Sequence, residues 1–131
     1  MKNKNFIGGI VSLALLLVIG LACSGYGTKM MFNGGELYHT KNVTEADAKK
    51  LGDYLVKEQF FDGKEKTVQL DKEGSAYQFR MVVLPEKQND PETMEIMKTF
   101  AAQISKDVFN NAPTEMHICD NQLKTVRVIK P

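Results

Sequence analysis

The hydrophobic positions of the chain follow three patterns, and each pattern predicts a different kind of element. Residues 6–22 are apolar throughout except for Ser12. Two later segments, 44–61 and 90–108, repeat apolar residues at the spacing of an α-helix with one buried side. The segments that follow each helix alternate apolar and polar residues, as strands with one buried face do. The pattern therefore predicts a hydrophobic N-terminal segment followed by an α+β domain.

The two predicted helices have local start signals. Thr44 can cap the first helix, with Asp47 three residues later in an arrangement like a capping box. Asp90 can cap the second helix, and Pro91 then takes the first helical position, where proline is favoured. The apolar stripes that we expect to pack on a sheet are Ala48, Leu51 and Leu55 in the first helix and Met97, Ala101, Ile104 and Val108 in the second.

Three strand-forming regions surround these helices. Asn33, Gly34 and Gly35 separate two β-prone runs and predict a hairpin. Residues 66–84 and 114–130 each predict two strands joined by a turn. Counting one strand before the first helix, the expected order is β-α-β-β-α-β-β, a two-layer sandwich of two helices on one face of an antiparallel sheet. This order is similar to a ferredoxin-like split βαβ arrangement with one added strand.

The helix–strand–turn–strand unit occurs twice, which predicts an internal duplication. The segment FDGKEKTVQL after the first helix aligns with FNNAPTEMHI after the second helix. Each leads through a turn into a strand with an arginine near its middle, Arg80 or Arg127. We therefore expect a pseudo-two-fold layout, although two short amphipathic units can also resemble each other by coincidence.

Residues 1–22 are expected to place the protein at a membrane. Two lysines precede the apolar run, whose length is at the lower limit of about 17 residues for a membrane-spanning helix. The end of the run, "GLAC", resembles the bacterial lipobox, although Gly20 and Leu21 depart from its usual pattern. The resemblance implies lipidation of Cys23 and cleavage before it. The alternatives are an uncleaved anchor, a simple secretion signal and a core helix of a soluble fold.

The remaining residues are expected to form one exported domain. The lysines before the apolar run favour a cytoplasmic N-terminus, which places the rest of the chain on the non-cytoplasmic side. Residues 23–29 are small and polar and predict a flexible tether, and residues 30–131 predict a single globular domain. The expected location is the bacterial cell envelope.

Charge and cysteine content narrow the function classes. The chain has 17 basic and 16 acidic side chains, and without residues 1–22, which hold two lysines and no acid, 15 and 16 remain. Such a balance gives no overall attraction to nucleic acid. The two cysteines, Cys23 and Cys119, do not suggest a disulfide framework. We expect no cofactor and no metal, because His117 and Cys119 could share a strand face but lack the further ligands that zinc needs.

Alternation along the strands predicts a candidate ligand face opposite the helices. Two arginines on such a face can bind a carboxylate or a phosphate, which indicates an anion or acidic-peptide site. The alternative interpretation is an ordinary solvated sheet face. The same alternation predicts that Val126 and Val128 face the helices. The residues predicted on the ligand face are Gln69, Arg80, His117 and Arg127.

The sequence therefore favours a non-enzymatic binding or protein-interaction module over an enzyme. Paired carboxylates, a nucleophile triad and a glycine-rich phosphate loop are not recognisable. The expected partners are the membrane, through the N-terminus, and a protein or a second copy of the chain, through the sheet. The alternative is a small-anion-binding or enzymatic domain that uses the face of Arg80, Arg127 and His117.

Overall fold

The computed structural model describes residues 24–131. The hydrophobic segment 1–22 and the lipidation candidate Cys23 lie outside these residues, so the predictions about them stay predictions. Within the described part of the chain, no helix is long and apolar enough to span a membrane. The elements in chain order are a 3-10 turn at Ser24–Tyr26, β1 (Thr28–Phe32), β2 (Gly35–His39), α1 (Glu45–Lys57), β3 (Thr67–Glu73), β4 (Ala76–Val82), a 3-10 turn at Pro85–Lys87, α2 (Pro91–Asp107), β5 (Thr114–Cys119) and β6 (Thr125–Ile129).

The domain is α+β, and its sheet is mixed rather than antiparallel. The strands lie in chain order from β1 to β6, with antiparallel hairpins at β1–β2, β3–β4 and β5–β6. The pairs β2–β3 and β4–β5 are parallel. The predicted antiparallel sheet is therefore wrong, because α1 and α2 serve as crossovers that return the chain to start a parallel neighbour.

The sheet also has one strand more than the predicted topology. The turn at Asn33 and Gly34, with φ angles of 47° and 85°, lets the chain reverse within two residues. Both arms of this hairpin then pair along their full length and join the sheet as β1 and β2. The described residues thus contain six strands where the predicted order has five.

The helices begin where their local signals predict. The side-chain oxygen of Thr44 accepts a hydrogen bond from the backbone N–H of Asp47 at 3.1 Å. A carboxylate oxygen of Asp90 accepts from the backbone N–H of Thr93 at 3.0 Å. Each bond satisfies a donor that the first helical turn leaves free, which explains why both helices start here.

One hydrophobic core contains side chains from both helices and from β2, β3, β4 and β5. Its centre is a group of fully buried rings, Phe60 after α1, Phe79 on β4 and Phe100 on α2, with centroids 5.5 to 6.2 Å apart. Burying each such ring contributes about 1.5–3 kcal/mol. The predicted helix stripes are confirmed as buried: Ala48, Leu51, Leu55, Met97, Ala101, Ile104 and Val108.

Candidate functional site

Three of the four residues predicted on the ligand face lie side by side across the centre of the sheet. Gln69 on β3 is paired with Arg80 on β4, and Arg80 is paired with His117 on β5. Directly opposed residues on neighbouring strands place their side chains on the same face. The residues that flank each of them in its own strand point to the opposite face and belong to the core. We call the face that carries Gln69, Arg80 and His117 the polar face of the sheet.

The structure does not bring Arg127 to this face. Ile118 is paired with Arg127, whereas the next residue of β5, Cys119, is paired with Thr125. Val126 is therefore an extra residue in β6, and this bulge reverses the side on which later residues point. Arg127 takes the side of Ile118, and its Nη1 donates a hydrogen bond to Oδ1 of Asn89 at 2.7 Å.

The same bulge corrects the predicted position of Val128. Val128 is paired with His117 and thus belongs to the polar side, and it is 39% exposed. Val126 is 51% exposed. The prediction that Val128 faces the helices is wrong, because strict alternation does not hold across a strand with an extra residue, whereas Val126 is the extra residue itself and has no paired partner on β5.

Arg80 is the central cation of the polar face. Its Nη2 donates to the backbone oxygen of Leu123 at 2.8 Å, and its Nη1 donates to Nδ1 of His117 at 3.3 Å. Its Nε is buried and has no hydrogen-bond partner among residues 24–131. A buried donor without a partner costs free energy, which the two Nη hydrogen bonds of Arg80 offset in part.

His117 connects Arg80 to a carboxylate. An arginine can only donate hydrogen bonds, so Nδ1 of His117 must be the acceptor, and the hydroxyl of Thr125 lies 3.0 Å from the same atom. Nε2 then carries the proton and donates to Oε1 of Glu115 at 2.9 Å. This hydrogen bond and the charge of Lys130 hold the pKa of Glu115 below its usual value, although burial opposes them.

The Cys119 thiol lies next to this network but is poorly placed for chemistry. Its side chain is fully buried, and burial raises its pKa despite the nearby charge of Arg80. Its Sγ contacts the backbone oxygen of His117 at 3.5 Å rather than the ring. Within residues 24–131, no group of three or more His, Cys, Asp or Glu side chains could hold a metal ion.

The start of the described chain covers part of the polar face. The backbone oxygen of Tyr26 accepts a hydrogen bond from Nε2 of Gln69 at 2.8 Å, and its hydroxyl donates to the backbone oxygen of Gln122 at 3.2 Å. The ring also lies 6.0 Å from that of Tyr38. Tyr26 thereby shields a small apolar cluster that sequence analysis missed, which consists of Val82, Cys119 and Leu123.

The segment predicted as a flexible tether, 23–29, thus has defined structure in its described part. It contains the 3-10 turn at Ser24–Tyr26 and the first two residues of β1. The sequence feature that could have predicted this contact is Tyr26 itself, since a large aromatic residue is uncommon in a freely solvated linker. The chain enters the domain across the polar face, close to the turn that joins β5 and β6.

The outer edge of the sheet at β6 is the other surface that sequence analysis missed. Val126 and Val128 are among the exposed large hydrophobic side chains of the described residues. Three basic residues, Lys124, Arg127 and Lys130, accompany them, and no acid occurs in residues 124–131. The alternation of valines and basic residues in 124–130 could have indicated this surface. It was not recognised because the valines were predicted to face the helices.

Two cavities of the described surface lie away from the polar face. One of about 200 Å³ is lined by Val83, Pro85 and the Asp120–Asn121 turn, and one of about 230 Å³ lies between α2 and Lys130. Pockets that bind drug-sized ligands have volumes of about 300–1,000 Å³. Both cavities are therefore smaller than is usual for a site that encloses a drug-sized ligand.

Comparison with known proteins identifies the family. A family model described as a family N-terminal domain, AF_1994_N, matches residues 29–130. The chain belongs to the AF_1994_N family. No curated protein and no solved structure matches it. In this AF_1994_N domain the matched range includes both helices and all the residues of the polar face, whereas the hydrophobic segment 1–22 precedes it.

Proposed function

We propose that this AF_1994_N domain is a non-enzymatic protein-binding module displayed on the outer side of a bacterial membrane. The proposed anchor is the apolar segment 1–22, or a lipid on Cys23 after cleavage. Its support is the sequence: lysines before the run, a nearly membrane-spanning length and a lipobox-like end. Tyr26 packs on the sheet only three residues after Cys23, so an anchor there would hold the domain within about 15 Å of the membrane.

The observation that carries the binding role is the edge strand β6. It pairs with β5 on one side, and no strand covers its other side among the described residues. Natural sheets protect such edges with charged side chains and bulges, and β6 has both, so its charge limits which chains can pair with it. Val126 and Val128 are nevertheless 51% and 39% exposed on this strand. An edge with free backbone groups and exposed valines is suited to accept a partner strand.

We further propose that both helices cover the same face of the sheet as one layer. The support is the single core, to which α1 and α2 both contribute, and the hydrogen bond from Tyr54 on α1 to Asp107 on α2 at 3.2 Å. This arrangement leaves the polar face free of helices. A ferredoxin-like arrangement is not supported, because its strands interleave whereas these follow chain order.

The proposed layer has a consequence for the predicted duplication. The strands β2 and β4 run in opposite directions, and both crossovers step towards β6. With both helices on one face, the two crossovers therefore have opposite hands, and one of them is left-handed, which is rare. A two-fold rotation would give the two helix–strand–turn–strand units crossovers of the same hand. The opposite hands therefore argue against a pseudo-two-fold repeat.

The chemistry of the polar face favours binding over catalysis. His117 is held by three partners, Arg80, Thr125 and Glu115, which leaves its ring nitrogens occupied. Cys119 is fully buried with a raised pKa, and a thiol rather than a thiolate is a poor nucleophile. A second candidate function is binding of a small anion at Arg80, favoured by its position between Gln69 and His117 on one face, although its Nε is itself buried and out of reach of a ligand. It is weaker because Arg127 bonds elsewhere and leaves one guanidinium on this face.

The anchor is tested by the intact mass of the protein purified from its own membranes, beside a Cys23→Ala variant. We expect a species that lacks residues 1–22 and carries acyl mass, and we expect both features to be lost in the variant. Full-length mass without lipid in the membrane fraction indicates an uncleaved anchor. Full-length mass in the soluble fraction would overturn the proposed location.

The binding role is tested by site-specific photo-crosslinking in intact cells. We expect a photoreactive residue at position 128 to give a crosslinked species of defined mass, and the same residue at exposed Lys49 on α1 to give none. A product of twice the chain mass would identify a second copy as the partner. Equal labelling at both positions, or none, would contradict a binding role for β6.

A further inference from the structure

We propose that β6 accepts an extended acidic segment of a partner protein as an additional strand of the sheet. This inference rests on the proposed binding function and specifies the chemistry of the partner. Strand addition requires a free edge, side chains that provide contacts and a register that fixes the partner. In β6 the unpaired side of the strand provides the edge, the valines and basic residues provide the contacts, and their alternation fixes the register.

The charge of β6 is positive and largely uncompensated. Arg127 donates to the neutral side chain of Asn89, and Lys124 has no ion pair among residues 24–131. Lys130 lies 3.7 Å from Glu115, but its side chain is 73% exposed. Glu115 is also bonded to His117, so the local acid is shared. A partner with carboxylates would supply the counter-charge that the domain itself lacks.

The side chains of β6 predict an alternating partner sequence. Val128 lies on the polar side and Arg127 on the opposite side, so a strand paired with β6 meets valine and arginine on its two faces in turn. Directly opposed side chains on paired strands are about 4.5–5.5 Å apart, close enough for apolar and charge contacts. The best partner therefore alternates apolar residues with Asp or Glu.

A second copy of the chain fits this edge poorly. Pairing β6 with another β6 would oppose two strands that each hold Arg127 between flanking lysines, and like charges directly opposite are destabilising. The other sheet edge, β1, contains Lys29 and no acid, and Lys29 already lies 3.7 Å from Glu36 on β2, so β1 of a second copy offers β6 no counter-charge. Charge complementarity thus selects a different, acidic chain.

The test compares two synthetic peptides of about eight residues, one alternating valine with glutamate and the other alternating valine with lysine. The full chain in nonionic detergent is titrated with each labelled peptide, and hydrogen exchange is measured by mass spectrometry. We expect the acidic peptide to bind and to slow exchange in β6, and the basic peptide to bind at least about tenfold more weakly. Added salt should weaken binding of the acidic peptide.

A charge-reversal pair makes the test specific to β6. Arg127→Glu should weaken binding of the acidic peptide by about tenfold or more, whereas the matched change Lys64→Glu, in an exposed loop near the opposite edge, should leave it unchanged. Circular dichroism and the urea midpoint report whether each variant is folded. Val128→Glu provides a second variant that should weaken binding of the same peptide.

Each other outcome overturns the inference. Equal binding of both peptides, no binding, or slowed exchange in β1 instead of β6 would exclude an acidic strand at this edge. A dimer seen by sedimentation that Arg127→Glu dissociates would identify a second copy as the occupant. Crosslinking at position 128 to a protein partner, without binding of the acidic peptide, would retain the proposed function and reject only its acidic specificity.

Discussion

The guanidinium of Arg80 organises the residues around it. Its two Nη atoms hold the Leu123 backbone oxygen and the ring of His117, and His117 in turn donates to Glu115. Arginine can only donate hydrogen bonds, so Nδ1 of His117 must accept and Nε2 must carry the proton that it donates to Glu115. Nε of Arg80 remains a buried donor without a partner among the described residues, which is an uncompensated cost of this arrangement.

The burial of Cys119 leads to a prediction about its reactivity. In a Cys23→Ser variant, Cys119 is the only thiol of the chain. We expect it to react with Ellman's reagent at least about a hundredfold more slowly in the folded protein than in urea, because its side chain is fully buried and its pKa is raised. Rapid reaction of the folded protein would mean that the cover formed by Tyr26 opens readily.

The bulge in β6 shows how one residue redirects an element. The extra residue Val126 places Arg127 on the core side and Val128 on the polar side. A strand without the bulge would have put both arginines on the polar face and both valines on the core face. The bulge therefore removes the second arginine from the predicted anion site and places Val128 on the polar side of the edge strand.

The packing of α1 on β1 leads to a prediction for Gly52. A Cβ at this position would lie 2.2 Å from the Phe32 ring, far inside normal contact distance. Gly52→Ala should destabilise the domain by up to about 2 kcal/mol, since an overpacking cost of about 1–3 kcal/mol is offset by a gain of about 1 kcal/mol in helix propensity. Urea unfolding measures the change.

Two further variants interpret that measurement. Gly25→Ala should change the free energy of unfolding by less than about 0.5 kcal/mol, because nothing lies within 4 Å of its added Cβ. Adding Phe32→Leu to Gly52→Ala should recover part of the loss by making space for the methyl group. A stabilised Gly52→Ala variant would show that Phe32 can move aside without cost.

At the scale of the whole molecule, hydrogen bonds to Asp71 on β3 hold the loop that follows β2, residues 40–42, against the sheet. One carboxylate oxygen accepts from the Thr40 hydroxyl at 2.6 Å, the Lys72 backbone N–H at 2.7 Å and the Asn42 amide at 3.2 Å. Burial by itself would raise the pKa of Asp71, but these hydrogen bonds and the charge of Arg80 hold it below the usual value. The ionised form is therefore favoured by folding.

This lowered pKa predicts a pH dependence of stability. A carboxyl group with a pKa lower in the folded state stabilises the protein above its unfolded pKa, and this contribution is lost as the pH falls through the folded pKa. Asp71→Asn should cost about 1–2 kcal/mol at neutral pH and reduce the loss of stability below about pH 4. Urea unfolding at a series of pH values measures both effects.

The matched control is Asp53→Asn on the exposed side of α1. Asp53 forms only an exposed salt bridge with Lys49, 2.8 Å long, so its removal should cost less than about 1 kcal/mol. If Asp71→Asn retains the full acid sensitivity of the parent protein, other carboxylates are responsible. Glu115, whose pKa is also lowered, would then be the next group to test.

The sequence by itself determined those features that depend on residues near one another in the chain. The helix starts at Thr44 and Asp90 were predictable because a cap binds its own first turn. The buried helix stripes and the shared face of Gln69, Arg80 and His117 were predictable because helical and strand periodicity act over a few residues. The hydrophobic segment 1–22 belongs to the same class of local signal, and its role remains a prediction.

Only the tertiary structure decided which elements meet. The parallel pairs β2–β3 and β4–β5, the cover of Tyr26 over the polar face and the position of Arg127 all depend on contacts between distant residues. An antiparallel and a mixed sheet bury the same alternating side chains, so local pattern cannot distinguish them. The one-residue bulge at Val126 had the largest effect, because strand geometry reverses the side of every residue that follows it.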